Sequence, residues 1–268
     1  MKLSMEVLDV DQKVIAQVDG EDEVNLVLRH KYQQGDQLVL KCSEKDVFIW
    51  LQFDDAMGKS MVLLKDQELR YTIPFGDQRV NLSPKAFYGE VHLLTAKKAE
   101  AYDLDFYRNL CLNVYDQNSN NIVCYPHASA NVETRGEVVF AARNVIDGVT
   151  ANLSHGDWPF QSWGINRRDD ALLKVDFGRK VKVNRIVLYT RADFPHDNWW
   201  EKATFSFSDG SQLDVNMEKS SLPHVFEFEE KQIEWLELGQ LIKSLEESPF
   251  PALTQLEVYG KDLLDCLE

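Results

Sequence analysis

The sequence predicts an all-β protein built from two β-sandwich domains, and three observations carry that prediction. Apolar and polar residues alternate with period two over short runs, the mark of strands half buried on one face. These runs recur about every ten residues between Gly, Asp, Asn and Pro, a spacing that suits an antiparallel sandwich better than alternating helices and parallel strands. The length of 268 residues corresponds to about two domains, each able to bury its own core.

In the first half the alternating runs fall at residues 13–18, 37–41, 47–51, 69–73 and 91–94, with turns at Gln34-Gly35-Asp36 and Phe75-Gly76-Asp77. The segment 54–60 ends in Gly58-Lys59-Ser60 but lacks the earlier glycine of a phosphate loop, so it reads as a hairpin loop. Residues 96–111 are rich in Ala, Glu, Leu and Lys and predict the one sizeable helix. The polar, turn-forming cluster 116–121 follows, and its shift in composition places a domain border near residue 120, giving domains 1–120 and 121–268.

Beyond the border, strands are expected at 172–178, 183–189, 203–208, 225–228, 235–238 and 256–260, with Ser208-Asp209-Gly210-Ser211 as a hairpin turn. Residues 138–166 alternate little and are rich in aromatic, Gly, His and Asn residues, which predicts a long ordered loop.

Composition narrows the functional classes. With 29 Lys and Arg against 44 Asp and Glu, the formal charge of −15 repels phosphate backbones and anionic lipid, so neither nucleic acid nor a membrane is expected as a partner. The first residues lack a signal-peptide pattern, which predicts a cytoplasmic protein. Cys42, Cys111, Cys124 and Cys266 are scattered, with no Cys-x-x-Cys pair, and predict buried, reduced thiols rather than a zinc or disulfide framework.

Several ordered motifs occur in the second half: Ala142-Arg143-Asn144-Val145-Ile146-Asp147-Gly148, Ser162-Trp163-Gly164, residues 173–178, Val183-Asn184-Arg185-Ile186 and Leu256-Glu257-Val258-Tyr259-Gly260. Over residues 125–260 this series resembles the discoidin, or coagulation-factor type C, module of the galactose-binding-like superfamily, which includes many carbohydrate-binding modules. The resemblance implies a jelly-roll sandwich with its ligand site in the loops at one end. It also implies a structural calcium ion, held by Asp147 and Glu257 with Thr150 or Asn152 completing an oxygen shell. Here Asn152 and Ser154 stand where the family has Thr and Trp, and Trp158 arrives late. An Asx turn at Asp147 is the alternative.

Four of the six tryptophans lie between residues 158 and 200, in two loop segments also rich in His, Asp and Arg. A sugar presents an apolar C–H face and a hydroxyl edge; indole suits the first, while His, Arg and Asp supply paired donors and acceptors for the second. The expected ligand set is His155, Trp158, Arg191, Asp193, His196, Asp197 and Trp199, binding a carbohydrate without catalysis. Trp163, and one of the adjacent pair Trp199 and Trp200, are expected in the core. The alternative reading of the same loops is a site for a protein partner anchored on Trp, Arg and Tyr. An enzyme would take His127, His155 and His196 with Asp193 or Asp197 around a metal, or Ser154, His155 and Asp157 as a nucleophile group, and neither set has supporting spacing; a glycan-acting enzyme would draw a pair of carboxylates from Asp157, Asp193, Asp197 and Glu201, a choice that an acidic chain offers by chance.

Overall fold

The computed structural model describes residues 1–117 and 122–263. The expected border at residue 120 and Cys266 lie outside them. The strands are β1 Lys2–Leu8, β2 Val14–Glu21, β3 Glu23–Arg29, β4 Gln37–Cys42, β5 Val47–Gln52, β6 Ser60–Leu64, β7 Glu68–Thr72, β8 Val91–Lys98, β9 Arg108–Asn109, β10 Cys124–Tyr125, β11 His127–Ala130, β12 Trp163–Gly164, β13 Leu173–Thr190, β14 Trp200–Phe207, β15 Gln212–Asn216, β16 His224–Lys243 and β17 Ala252–Asp262.

The first sandwich packs a four-stranded sheet, β2-β1-β4-β7, on a five-stranded sheet, β10-β6-β5-β8-β3. Between them lies a core of Leu3, Met5, Leu38, Leu40, Ile49, Leu51, Phe53, Val62, Tyr71 and neighbouring residues. Residues 54–59 form the hairpin loop between β5 and β6, as their spacing suggests. The expected helix over 96–111 is replaced. Strand β8 runs on to Lys98, because Ala96 and Lys97 pair with both Val24/Glu23 and Leu51/Trp50, and only Ala101–Leu104 is helical. Two-sided pairing overrides a modest local helix propensity.

The second unit is a β-sandwich of jelly-roll type with sheet order β12-β17-β13-β16-β14-β15, to which β11 adds on β13 and β9 on β17. The alternating runs at 172–178 and 183–189 are one continuous strand, β13, and those at 225–228 and 235–238 are likewise joined in β16. Register shifts between Asp176 and Val181 and between Val183 and Arg185 bend the pair without ending it. Leu173, Val175, Phe177, Val181 and Val183 point into the core, and past the second shift the inward parity changes to Ile186 and Leu188. Gly260 on β17 is required by a close approach: a Cβ there would sit 1.8 Å from the Lys182 carbonyl oxygen. Trp163 and Trp200 lie within the core with ring centroids 6.2 Å apart. Phe207 and Gln212 flank the 208–211 turn, which closes the antiparallel β14–β15 hairpin.

The two units exchange chain. Strand β9, which precedes the border expected from composition, pairs with β17 of the jelly roll, whereas β10, which follows it, pairs with β6 of the first sandwich. The seam is further closed by the Arg143 guanidinium, which donates to the carbonyls of Asp116 (2.6 Å) and Val114 (2.8 Å). Asn81 donates to Asn144 Oδ1 at 2.9 Å, and the Arg179 guanidinium lies 5.0 Å from the centre of the Phe48 ring. Cys42, Cys111 and Cys124 are free and buried. Among the described residues no helix is long and apolar enough to cross a membrane.

Candidate functional site

The long loop leading from β11 towards β12 is not featureless: it makes short 3-10 turns at Val138–Phe140 and Ala142–Ile146. It then closes a small hairpin in which Leu153 N–H donates to Pro159 O at 2.8 Å and Ser154 bridges to Asp157. That hairpin lifts His155 towards the segment following β13, where His155 N–H donates to Asp193 Oδ2 at 2.8 Å. Arg191, only 2% exposed, donates from its terminal nitrogen to His155 Nδ1 at 3.0 Å, and its Nε lies 3.2 Å from Asp197 Oδ2. The same Asp197 oxygen accepts the Asp193 N–H at 2.8 Å. The result is a chain of contacts, Asp197 to Arg191 to His155, with Asp193 fixing both loop backbones.

These groups face a cavity of about 130 Å³ that is also lined by Arg135, Phe140, Arg167 and Phe250. Across it runs a ladder of rings. Phe140 stacks on His155 (centroids 6.4 Å), His155 meets His196 at 4.4 Å, and His196 stacks on Phe250 at 5.7 Å. A guanidinium caps each end: Arg135 lies 5.6 Å from the centre of Phe140, and Arg167 4.8 Å from that of Phe250.

The electrostatics follow from this packing. Burial, then the charges of Arg191 and His196, hold His155 below the ordinary imidazole range. With Nδ1 accepting from Arg191, the neutral ring carries its hydrogen on Nε2 and can donate it to a ligand. Burial pushes the Asp197 carboxyl up while Arg191 opposes the rise, and burial pulls Arg191 below its ordinary range against the charges of Asp197 and Asp193.

Of the expected ligand set, His155, Arg191, His196 and Asp197 line the cavity, and Asp193 holds the His155 backbone from behind. The tryptophan platform is not formed there. Trp158 is half buried, with its indole N–H enclosed and without a partner. Trp199 packs edge-on against Phe194 at 6.4 Å, beneath the Lys219 ammonium; its neighbour Trp200 takes the inward position. The aromatic flanks of the cavity are instead Phe140 and Phe250. Arg135, Arg167 and Phe250 gave no sequence cue, because each is one residue in a polar or proline-rich turn far from the others along the chain.

The expected calcium ligands do not converge. The buried Asp147 carboxyl, pushed up to about 6 by burial, accepts N–H bonds from Val149 (2.8 Å) and from the Gln161 amide (3.2 Å). The β17 residue that meets this turn is Gln255, whose Oε1 accepts Gly148 N–H at 3.2 Å. Glu257, two residues on, accepts from the Tyr259 hydroxyl at 3.1 Å. Thr150 is exposed, and Asn152 Oδ1 is buried without a partner. One carboxylate with both oxygens taken by N–H donors fits an Asx turn, not the oxygen cage that calcium takes. Among the described residues no cluster of three or more His, Cys, Asp or Glu could hold a metal.

The three-histidine centre and the Ser154 nucleophile group are also not assembled. His127 pairs with Asp116 at 2.7 Å rather than with the two facing histidines, and Ser154 donates directly to Asp157 at 3.2 Å while His155 turns to Arg191.

A domain of unknown function, DUF7402, matches residues 124–248. No curated protein matches the chain. Among solved structures, the chain is similar to chitosan-binding module 1 from a chitosanase/glucanase of Paenibacillus sp. IK-5, at 19% identity over 57% of this chain and 98% of that one, with a TM-score of 0.40. It is similar to the family 32 carbohydrate-binding module of C. perfringens NanJ in complex with galactose, at 23% identity over 49% of this chain and 91% of that one, with a TM-score of 0.36. For the lectin domain of lectinolysin complexed with Lewis B antigen the values are 18%, 57%, 96% and 0.42.

Proposed function

We propose that this protein binds a carbohydrate, without turning it over, in the cavity between Phe140 and Phe250. The observation that carries this reading is the Asp197–Arg191–His155 array opening on a cavity of about 130 Å³, a volume of the order of one sugar ring. A hydroxyl edge needs donors and acceptors fixed beforehand. The neutral His155 Nε2–H and the guanidinium of Arg191 supply donors, Asp197 supplies an acceptor, and the rings of Phe140 and Phe250 supply the apolar flanks. The absence of chemistry is proposed because the one buried acid facing the cavity, Asp197, is engaged by Arg191 and a backbone N–H, which leaves it unsuited to proton transfer. A peptide partner is less well served, since a single ring-sized recess with polar walls offers no extended anchor site.

The test is a thermal-shift and calorimetric screen against mono- and oligosaccharides, with calcium and with chelator. A saccharide that binds the native state raises the midpoint by mass action. We expect that rise to be the same in both metal conditions and to vanish in His155→Ala, whose exposed side chain can be removed without unfolding. The reading fails if no saccharide raises the midpoint of the folded protein, or if the rise survives in both His155→Ala and His196→Ala.

A further inference from the structure

We infer that the saccharide taken into this cavity carries an anionic substituent, a carboxylate, sulfate or phosphate group, and that Arg167 is the residue that reads it. This inference rests on the carbohydrate reading of the same cavity and narrows its ligand class.

Arginines surround the cavity. Arg191 at its floor has its charge matched by Asp197. Arg135 on one rim is forked onto the two carboxylate oxygens of Glu137 at 2.6 and 2.7 Å. Arg168, next in sequence to Arg167, is forked onto Asp170 at 2.7 and 2.5 Å. Arg167 alone of these four has no ion pair and no hydrogen bond among the described residues; its guanidinium lies over the face of Phe250, 4.8 Å from the ring centre. Of the three arginines that line the cavity, Arg167 is therefore the one whose charge no acid among the described residues matches.

The backbone supplies a second observation. Asn166 and Arg167 are consecutive non-glycine residues with φ of 48° and 61°, a left-handed conformation that costs free energy unless the surroundings hold it. They are held: Asn166 N–H donates to Thr134 Oγ1 at 3.0 Å, and Arg168 N–H closes onto Ile165 O at 3.0 Å. The turn therefore places the Arg167 guanidinium on the cavity rim and the phenyl ring keeps it there, with its N–H fork unspent. A planar fork of donors is the group that matches a carboxylate, sulfate or phosphate through two parallel bonds. The His155 Nε2–H and Arg191 remain for the hydroxyls of the same ring.

The experiment uses the full chain and matched ligand pairs: galactose with galacturonate, glucose with glucuronate, and N-acetylglucosamine with its 6-sulfate and 6-phosphate. Titration calorimetry is run on the wild type, Arg167→Ala and Arg167→Gln, in low and high salt. At least one anionic member should bind about tenfold tighter than its neutral partner. Both variants should bring the ratio of anionic to neutral affinity down to about one, and salt should weaken the anionic member only. Arg167 is exposed, so both variants should unfold at the wild-type midpoint. Equal affinity for every matched pair, or an anionic preference that persists in both variants, overturns the role of Arg167 and leaves the carbohydrate reading standing if His155→Ala still abolishes binding. Failure of every saccharide, charged or neutral, overturns both.

Discussion

Histidine, aspartate and aromatic rings meet twice in this molecule, with opposite outcomes. In the first sandwich, His92 lies between the Tyr32 ring, at a centroid distance of 4.3 Å, and Asp54, whose Oδ2 is 3.7 Å from His92 Nδ1. Asp54 also accepts N–H bonds from Phe87 (2.8 Å) and Ala56 (2.9 Å), and His92 Nε2 sits 3.1 Å from the His30 carbonyl. All three side chains are sealed, at 1–3% exposure. In the jelly roll, His155 and His196 are exposed and the array they belong to ends at a cavity. The residue types are the same; the difference lies in what the outer face of each cluster touches. Where polar groups are spent on loop backbones, the cluster pins a fold, and where they point into open space, it is available to a ligand.

The largest expected effect separates these roles. Asp54→Ala leaves the buried N–H donors of Ala56 and Phe87 without their acceptor, and should cost about 3 kcal/mol of stability in urea unfolding. Saccharide affinity should be unchanged under conditions where the variant is folded. A loss below about 1 kcal/mol, or a loss of binding, would break the contrast between a pinning cluster and a binding one.

An intermediate effect comes from two histidines shifted in opposite directions. His155, held below its ordinary value of 6.5, must stay neutral to accept from Arg191. Affinity should therefore be level above that value and decline, by at most about tenfold per pH unit, as pH drops through the depressed one. For His127 burial opposes the proton, but the hydrogen bond and charge of Asp116 outweigh it and the net shift is upward. Its contribution to stability is complete below 6.5 and is lost as pH rises through the raised value. Affinity should accordingly fall on the acid side of 6.5 and the His127 contribution to the urea midpoint on the alkaline side; transitions at the same pH would show that one ionisation governs both.

The smallest effect sharpens the sealed cluster itself. The Tyr32 hydroxyl is buried without a hydrogen-bond partner, so Tyr32→Phe should leave stability unchanged or raise it by up to about 1 kcal/mol. A clear loss in denaturant titration would mean that the hydroxyl is satisfied after all.

Much of the architecture was legible because alternation is imposed by burial of one sheet face, as at residues 37–41 and 47–51. What escaped was continuity. Nothing local shows that Gly178, Arg179 and Lys180 continue a strand, since it is the pairing of β13 with β16 on both sides of a bulge, flanked by β11 before it and β17 after it, that carries the ladder across. For the cavity, His155, Arg191, His196 and Asp197 were found because they cluster with aromatics in two short segments. The tryptophans misled for a physical reason: such large rings are as useful for sealing loop bases as for stacking on a ligand, and the sequence does not distinguish a covered indole from an open one. Arg167 and Phe250 meet only in three dimensions, 83 positions apart in the numbering.

The strand exchange at the seam has a consequence for cooperativity. Because β9 belongs to one ladder and β10 to the other, the polypeptide is laced through both units rather than strung between them. Neither can lose its edge without pulling a rung from its neighbour. Heat or denaturant then meets one melting body, and the free energy of a ligand seated at the mouth of the jelly roll is felt in the remote sheet that never touches it.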